Sequence, residues 1–189
     1  MLYTGKGDNG TTKTFGSCDQ RISKSSAIAE ALGTLDEVNS FLGVVKMESS
    51  AHEIAIFNNG DNPRTTAEIV GEVQQNLFIV QAEVAGADKH IASEKVRELE
   101  TIINTIEQEL PPIKTFFVSG GTTLAAMLDV ARTLARRAER RVVGVSEEGI
   151  VPIGKDTLAY LNRLSSLLYA LARQVNHKSG ITEEPPTYR

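Results

Sequence analysis

Five arginines crowd into ten positions of this 189-residue chain: Arg132, Arg136, Arg137, Arg140 and Arg141, with Glu139 among them. Wound as an α-helix, Arg132, Arg136, Glu139 and Arg140 share one stripe through steps of three and four. That stripe flanks an apolar one made of Leu124, Met127, Leu128, Ala131, Leu134, Ala135, Ala138, Val142 and Val145. A solvated face is the ordinary fate of an Arg-rich helix. Here the charge hugs the edge of a core and exceeds what solubility needs. Planar guanidinium forks held in place suit a polyanion such as triphosphate. Glu139, one turn from Arg136, stands where it can fix the direction of that fork.

A second group opens the chain. Thr4-Gly5-Lys6-Gly7-Asp8-Asn9-Gly10-Thr11-Thr12-Lys13 packs three glycines, three threonines and two lysines into ten positions. Glycine lets backbone N–H groups turn inward against a ligand, and Lys and Thr offer donors to phosphate. It is not a P-loop: Thr11 and Thr12 stand where Lys-Ser/Thr belongs, and no buried strand precedes it. A floppy tail is the competing reading of such a stretch. Lys24 adds a further cation, and Asp36, Asn39 and Asn162 are polar residues at mid-helix positions. Such a set can bind and orient a triphosphate but lacks an evident general base. It fits a reaction whose nucleophile is already potent, in which the protein positions the reactants and stabilises the departing charge.

Other chemistries are poorly served. His52, His90 and His177 are far apart and share no ligand spacing with carboxylates or with Cys18, which argues against a zinc or di-iron centre. Cys18 belongs to no nucleophile motif, and a single cysteine fits a reducing, cytoplasmic setting. A net charge of −4 and the absence of Trp argue against a nucleic-acid surface. No apolar run approaches the roughly 20 residues that span a bilayer.

The elements that must position these groups are helices. Ser23 to Ser49 forms the first, with Ser25 or Ser26 as cap and Ala31, Leu35, Val38, Leu42 and Val45 as its seam. His52 to Arg64 reads as a loop. Thr66 to Ala85 follows, with Ile69, Val70, Val73, Leu77, Val80 and Val84 inward. Ser93 to Leu110 presents Val96, Leu99, Ile103 and Ile106 and stops at Pro111-Pro112. Phe116-Phe117-Val118 leads through Ser119-Gly120-Gly121 into the arginine helix. Asp156 caps a fifth helix that runs to about His177 and ends at Gly180; it is the most apolar and therefore central. The tail Glu183-Glu184-Pro185-Pro186, within residues 181–189, should fray. The sum is one all-α domain, a five-helix bundle behind an extended N-terminal segment of residues 1–22.

Four motifs occur in order: Thr4 to Thr12; Leu35-Asp36-Glu37-Val38-Asn39-Ser40; Arg132-x-x-x-Arg136-Arg137-Ala138-Glu139-Arg140-Arg141; and Tyr160-Leu161-Asn162-Arg163-Leu164-Ser165. Together they resemble the propanediol-utilisation (PduO) type of ATP:cob(I)alamin adenosyltransferase, from Tyr3 to about Arg173. The resemblance implies a homotrimeric bundle with active sites between subunits. It also implies transfer of the 5′-deoxyadenosyl group of ATP, with Mg²⁺, to cob(I)alamin. A cobalamin reductase and an adenosylcobalamin-dependent enzyme become expected partners. On the same ground the N-terminal segment wraps ATP through Thr4, Gly5, Lys6, Gly7, Thr12 and Lys13. Lys24 meets the phosphates, and Arg136, Glu139, Arg140 and Asn162 complete the ATP site. Asp36 and Arg132 match a pair bridging two subunits, and Phe116 matches an aromatic on the lower axial side of cobalt. Arg136, Lys24 and Phe116 thereby become the expected catalytic residues, and no protein side chain is expected to ligate a metal. The chain departs from the family's pattern at Ser166, where Asp is usual, and at Ser119, where Pro is usual; the second leaves Phe116 and Phe117 as alternatives for the cobalt-facing ring. A non-catalytic, ATP-sensing bundle acting as a regulator or adaptor is the alternative function.

Overall fold

The computed structural model describes residues 2–15, 20–52, 56–59 and 62–188; Cys18 and the tip of the 52–64 segment lie outside them. Two residues each of β1 (Thr11–Thr12) and β2 (Ile22–Ser23) pair antiparallel ahead of α1 (Ala27–His52). A hairpin of β3 (Ile56–Asn59) and β4 (Asn62–Thr65) comes next, then α2 (Thr66–Val84), α3 (Ser93–Glu109), α4 (Thr123–Glu148) and α5 (Lys155–Lys178). The five helices and their order are those expected.

The helix starts have identifiable causes. Ser26 Oγ accepts from the Ala29 amide at 3.3 Å and caps α1. Thr65 and Glu68 form a reciprocal capping box at α2, and Thr122 Oγ1 accepts from the Ala125 amide at 3.1 Å to cap α4. For α5 the expectation fails. Its N-cap is Gly154, without a side-chain cap, and Asp156 lies in the first turn. The anion comes instead from α2: buried Glu83 accepts from the Gly154 amide at 2.7 Å and from the Thr157 hydroxyl. A carboxylate from another helix thus faces the positive end of the α5 dipole.

The segment from His52 to Arg64 is not a plain loop, since Ile56 pairs with Thr65 and Asn59 with Asn62. Its arms, Ile-Phe-Asn-Asn and Asn-Pro-Arg-Thr, lack the apolar alternation by which a strand announces itself. Arg64 anchors the hairpin to Glu72 of α2 at 2.5 Å and to Glu98 of α3 at 2.7 Å.

Helix α1 runs antiparallel to α4, with Glu30 beside Arg141 and Glu37 beside Arg137. Helix α5 packs between α4 and α3, and Leu161, Leu164, Leu167, Leu168 and Val175 are fully enclosed. Tyr160 is buried with them; burial pushes its phenol pKa up, and its oxygen accepts from Asn76 Nδ2 at 3.1 Å. The expected seams hold on α1 and α2. On α3 it is Ile102 that is fully inside and Ile103 that is half-buried; on α4 and α5 Met127, Leu134 and Leu158 also sit at the margin.

Candidate functional site

The N-terminal segment is folded. The Asp8 amide donates to the Gly5 carbonyl at 3.2 Å and the Gly10 amide to the Gly7 carbonyl at 3.1 Å. Arg21 braces the turn from behind, donating to Thr11 Oγ1 at 2.6 Å and to the Thr11 carbonyl at 2.7 Å. The β1–β2 pairing then delivers Lys24 to the loop: its amide donates to the Gly10 carbonyl at 2.9 Å. A Cβ on Gly7 would stand 3.1 Å from Lys24 Nζ, so the ammonium lies against bare backbone. The turn that carries Thr4, Gly5, Lys6 and Gly7 is thus brought against Lys24, while Thr12 lies in β1 and Lys13 follows it. Lys24 has no carboxylate partner among the described residues.

The arginines of α4 divide into two kinds. Arg132 donates to Asp129 at 3.1 Å, with its guanidinium 5.8 Å from the Tyr169 ring centre. Arg137 is paired with Glu37, and Arg141 lies 3.5 Å from Glu30. These three tie helices together. Arg136 and Arg140 are exposed, and no acidic partner meets either among the described residues. Glu139 makes no ion pair with Arg136; its Oε1 accepts instead from Asn162 Nδ2 at 2.8 Å. The Arg136 guanidinium is thus left without a carboxylate among the described residues. Asn162 Oδ1 in turn accepts from Arg163, which also holds Glu100 at 2.9 Å. Asp36 is exposed and unpaired among the described residues, whereas Asn39 of the same turn is buried.

At the N-terminal end of α4 a cavity of about 900 Å³ opens between α4, α5, the 113–121 loop and residues 181–184. Arg132 and Arg136 line one wall, Ser166, Tyr169 and Arg173 another, and Phe116 and Phe117 the loop side. Phe116 is 79% exposed and is no core residue. Phe117 is half-buried, its ring centre 5.3 Å from the Arg173 guanidinium. Ser166 leaves its part of the wall uncharged; the carboxylates nearby belong to Asp129, Glu183 and Glu184. The corner joining loop to helix is locked by Asn176, which accepts from the Thr122 amide at 3.0 Å and donates to the Gly120 carbonyl at 2.9 Å.

The tail, expected to fray, makes specific contacts at two residues. Glu183 is held by Arg173 at 2.8–2.9 Å, and the Val118 amide donates to the Glu184 carbonyl at 2.9 Å. Arg173, Tyr169, Asn176 and residues 181–184 all escape sequence reasoning. One signal was available: an arginine inside the apolar α5 pattern, followed by a helix stop that turns an acidic segment back toward it.

The two groups of cations are separated along α4. Because α1 runs antiparallel to α4, Lys24 lies toward the Arg141 end, while Arg132 and Arg136 face the cavity. Arg136 is the residue that belongs to both the cavity wall and the unpaired cation row.

A family model described as cobalamin adenosyltransferase matches residues 2–175. The corrinoid adenosyltransferase of Bacillus subtilis (strain 168) is 40% identical over 186 residues, 95% of this chain and 89% of that protein. The corrinoid adenosyltransferase PduO of Citrobacter freundii is 37% identical over 183 residues, 93% of this chain but 50% of that protein. The chain thus spans about half the length of the latter relative. Among solved structures, a single-substitution variant of the PduO-type ATP:corrinoid adenosyltransferase from Lactobacillus reuteri, complexed with cobalamin and ATP, aligns with a TM-score of 0.84. It is 30% identical and covers 100% of this chain and 97% of its own.

Proposed function

Because the chain belongs to the cobalamin adenosyltransferase family, we propose that it transfers the 5′-deoxyadenosyl group of ATP to cob(I)alamin. The observation that carries the reading is Arg136, an unpaired guanidinium on the wall of a cavity large enough for part of a corrinoid. In the reaction, the Co(I) electron pair attacks C5′ in line and forms the Co–C bond. The C5′–O bond breaks, and triphosphate departs with the electron pair of that broken bond. Charge grows on the leaving oxygen, where donors that are already aimed and unpaired are worth most.

The residues divide the work accordingly. Lys24 and the Thr4–Lys13 loop, with Gly5, Lys6, Gly7 and Thr12, wrap the nucleotide, while Arg136 and Arg140 receive the phosphates. Glu139 and Asn162, already bonded to each other, present a rigid polar edge for the nucleoside. Among the described residues no three His, Cys, Asp or Glu side chains cluster to hold a metal. Mg²⁺ would enter as the ATP complex, ligated mainly by phosphate oxygens, and would neutralise triphosphate charge. Phe116 supplies an apolar surface on the lower side of the corrinoid, excluding the lower axial ligand and leaving a four-coordinate Co(II) that is easier to reduce.

The separation of Lys24 from the cavity along α4 favours a site completed by a second copy of the chain. In that arrangement Asp36 of one subunit meets Arg132 of the next within a homotrimer. A reductase supplying the electron and an enzyme consuming adenosylcobalamin are the partners this chemistry requires, and a lone cysteine suits the reducing cytoplasm. No helix of the described residues is long and apolar enough to cross a membrane. The direct test incubates the protein with ATP, Mg²⁺, cobalamin and a chemical reductant and follows the absorbance of the Co–C product. ATP binding without that product would favour an ATP-sensing bundle instead.

A further inference from the structure

Arg173 is the least exposed charged group of the cavity wall, with 5% of its side chain accessible. Its guanidinium joins three segments distant in sequence. Nε donates to both Glu183 carboxylate oxygens at 2.9 Å, and Nη2 donates to Glu183 Oε2 at 2.8 Å and to the Pro111 carbonyl at 3.1 Å. Its face lies over the Phe117 ring. One residue of α5 thereby holds the start of the aromatic loop, the Phe117 ring beside Phe116, and the tail. The Val118 amide, bonded to the Glu184 carbonyl, closes the ring of contacts.

Resting on the adenosyltransferase reading, we propose that Arg173 and Glu183 are positioning residues that build the corrinoid wall, coupling the tail to the placement of Phe116. Residues 181–184 carry no regular secondary structure, so their order depends on a few contacts. A buried guanidinium needs a compensating anion, and Glu183 is its carboxylate among the described residues. The planar fork matters as well as the charge, because an ammonium cannot engage Glu183, the Pro111 carbonyl and the Phe117 face at once. When the pair is intact, the tail backs Val118 and holds the loop against α5. Without it, loop and tail separate and Phe116 loses its fixed height over the cavity.

The test compares Glu183→Ala, Glu183→Gln and Arg173→Lys with the unmodified enzyme. Glu183→Gln keeps the shape and the hydrogen-bond acceptor beside the buried Arg173, and circular dichroism verifies that each variant retains the helical bundle before its kinetics are read. The KM for cobalamin should rise about 10- to 100-fold in Glu183→Ala, while the KM for ATP stays within about twofold. The four-coordinate Co(II) signal of the ATP complex should shrink in parallel, and Arg173→Lys should not restore it. Independently of activity, hydrogen exchange at the Val118 amide should accelerate in Glu183→Ala. An unchanged Val118 exchange rate, an unchanged cobalamin KM, or equal increases in both KM values would overturn the coupling. If the unmodified enzyme forms no Co–C product, the adenosyltransferase reading fails instead, and the exchange measurement still decides whether the clamp exists.

Discussion

Asn162 donates from Nδ2 to Glu139 Oε1 at 2.8 Å across the α4–α5 seam, while Arg136, one turn from Glu139, pairs with no carboxylate among the described residues. A guanidinium left open in this way is set to receive an anion.

Arg136→Ala and Lys24→Ala should each remove a charge-assisted contact to phosphate, worth about 1.5–3 kcal/mol, or roughly 10- to 150-fold in kcat/KM for ATP. Arg137→Ala provides the comparison. It breaks an α1–α4 ion pair at the surface and should change ATP kinetics little. Steady-state kinetics, with circular dichroism to verify the helices, measures all three. Normal ATP use by both Arg136→Ala and Lys24→Ala would discard the phosphate site.

Phe116→Ala separates a cobalt-facing ring from a packing one. At 79% exposure the ring contributes little to folding, so melting should shift by no more than about 0.5 kcal/mol equivalent. Adenosylation starting from Co(II) should nevertheless fall sharply, and less so when pre-formed Co(I) is supplied. Phe117→Ala disturbs the Arg173 face and should also cost stability. Loss of the four-coordinate Co(II) signal in Phe117→Ala alone would assign the role to that ring.

The assembly proposal can be tested by complementation. If loop and cavity from different copies make one site, subunits carrying Lys24→Ala mixed with subunits carrying Arg136→Ala should regain part of the lost activity. Asp36→Asn should lower activity as well, since it removes the partner proposed for Arg132. A fully active monomer, seen by light scattering at assay concentrations, excludes this arrangement.

His90 gives stability a pH dependence. Its Nδ1 lies 3.0 Å from Glu83 Oε1, and that hydrogen bond and charge, with a smaller contribution from Asp88, raise its pKa above the ordinary 6.5. The folded state therefore holds a proton more tightly than the unfolded chain. The stabilisation is complete below about pH 6.5 and is lost as pH rises through the raised folded value. The melting temperature should decline across that window in the wild type and stay flatter in His90→Gln. Equal slopes in the two proteins would remove His90 from the account.

Helix number, order and inward faces were legible because apolar periodicity over 17 to 26 residues is a strong signal. The cation-bearing residues were legible for a similar reason: each sits in a local motif. What stayed hidden depends on contacts between distant segments. Glu83 looks like an ordinary polar residue of α2 until α5 arrives above it, and Glu183 looks like part of a loose tail until Arg173 is found beneath it. The Glu139–Arg136 expectation failed similarly. Helical spacing identifies neighbours on one helix but not an amide reaching over from the next.

The corner at Gly121 has a consequence for redesign. Its φ of 98° disfavours any L side chain, and a Cβ there would stand 2.3 Å from Asn176 Oδ1. The aromatic loop is therefore fastened to α4 by a joint that cannot be adjusted in small steps. Libraries that aim to admit altered corrinoids have their freedom at Ile113, Lys114, Thr115, Ile181 and Thr182, which line the cavity and take no part in the Arg173–Glu183 clamp. Diversity introduced at the glycine corner would yield misfolded chains long before it yielded new substrate ranges.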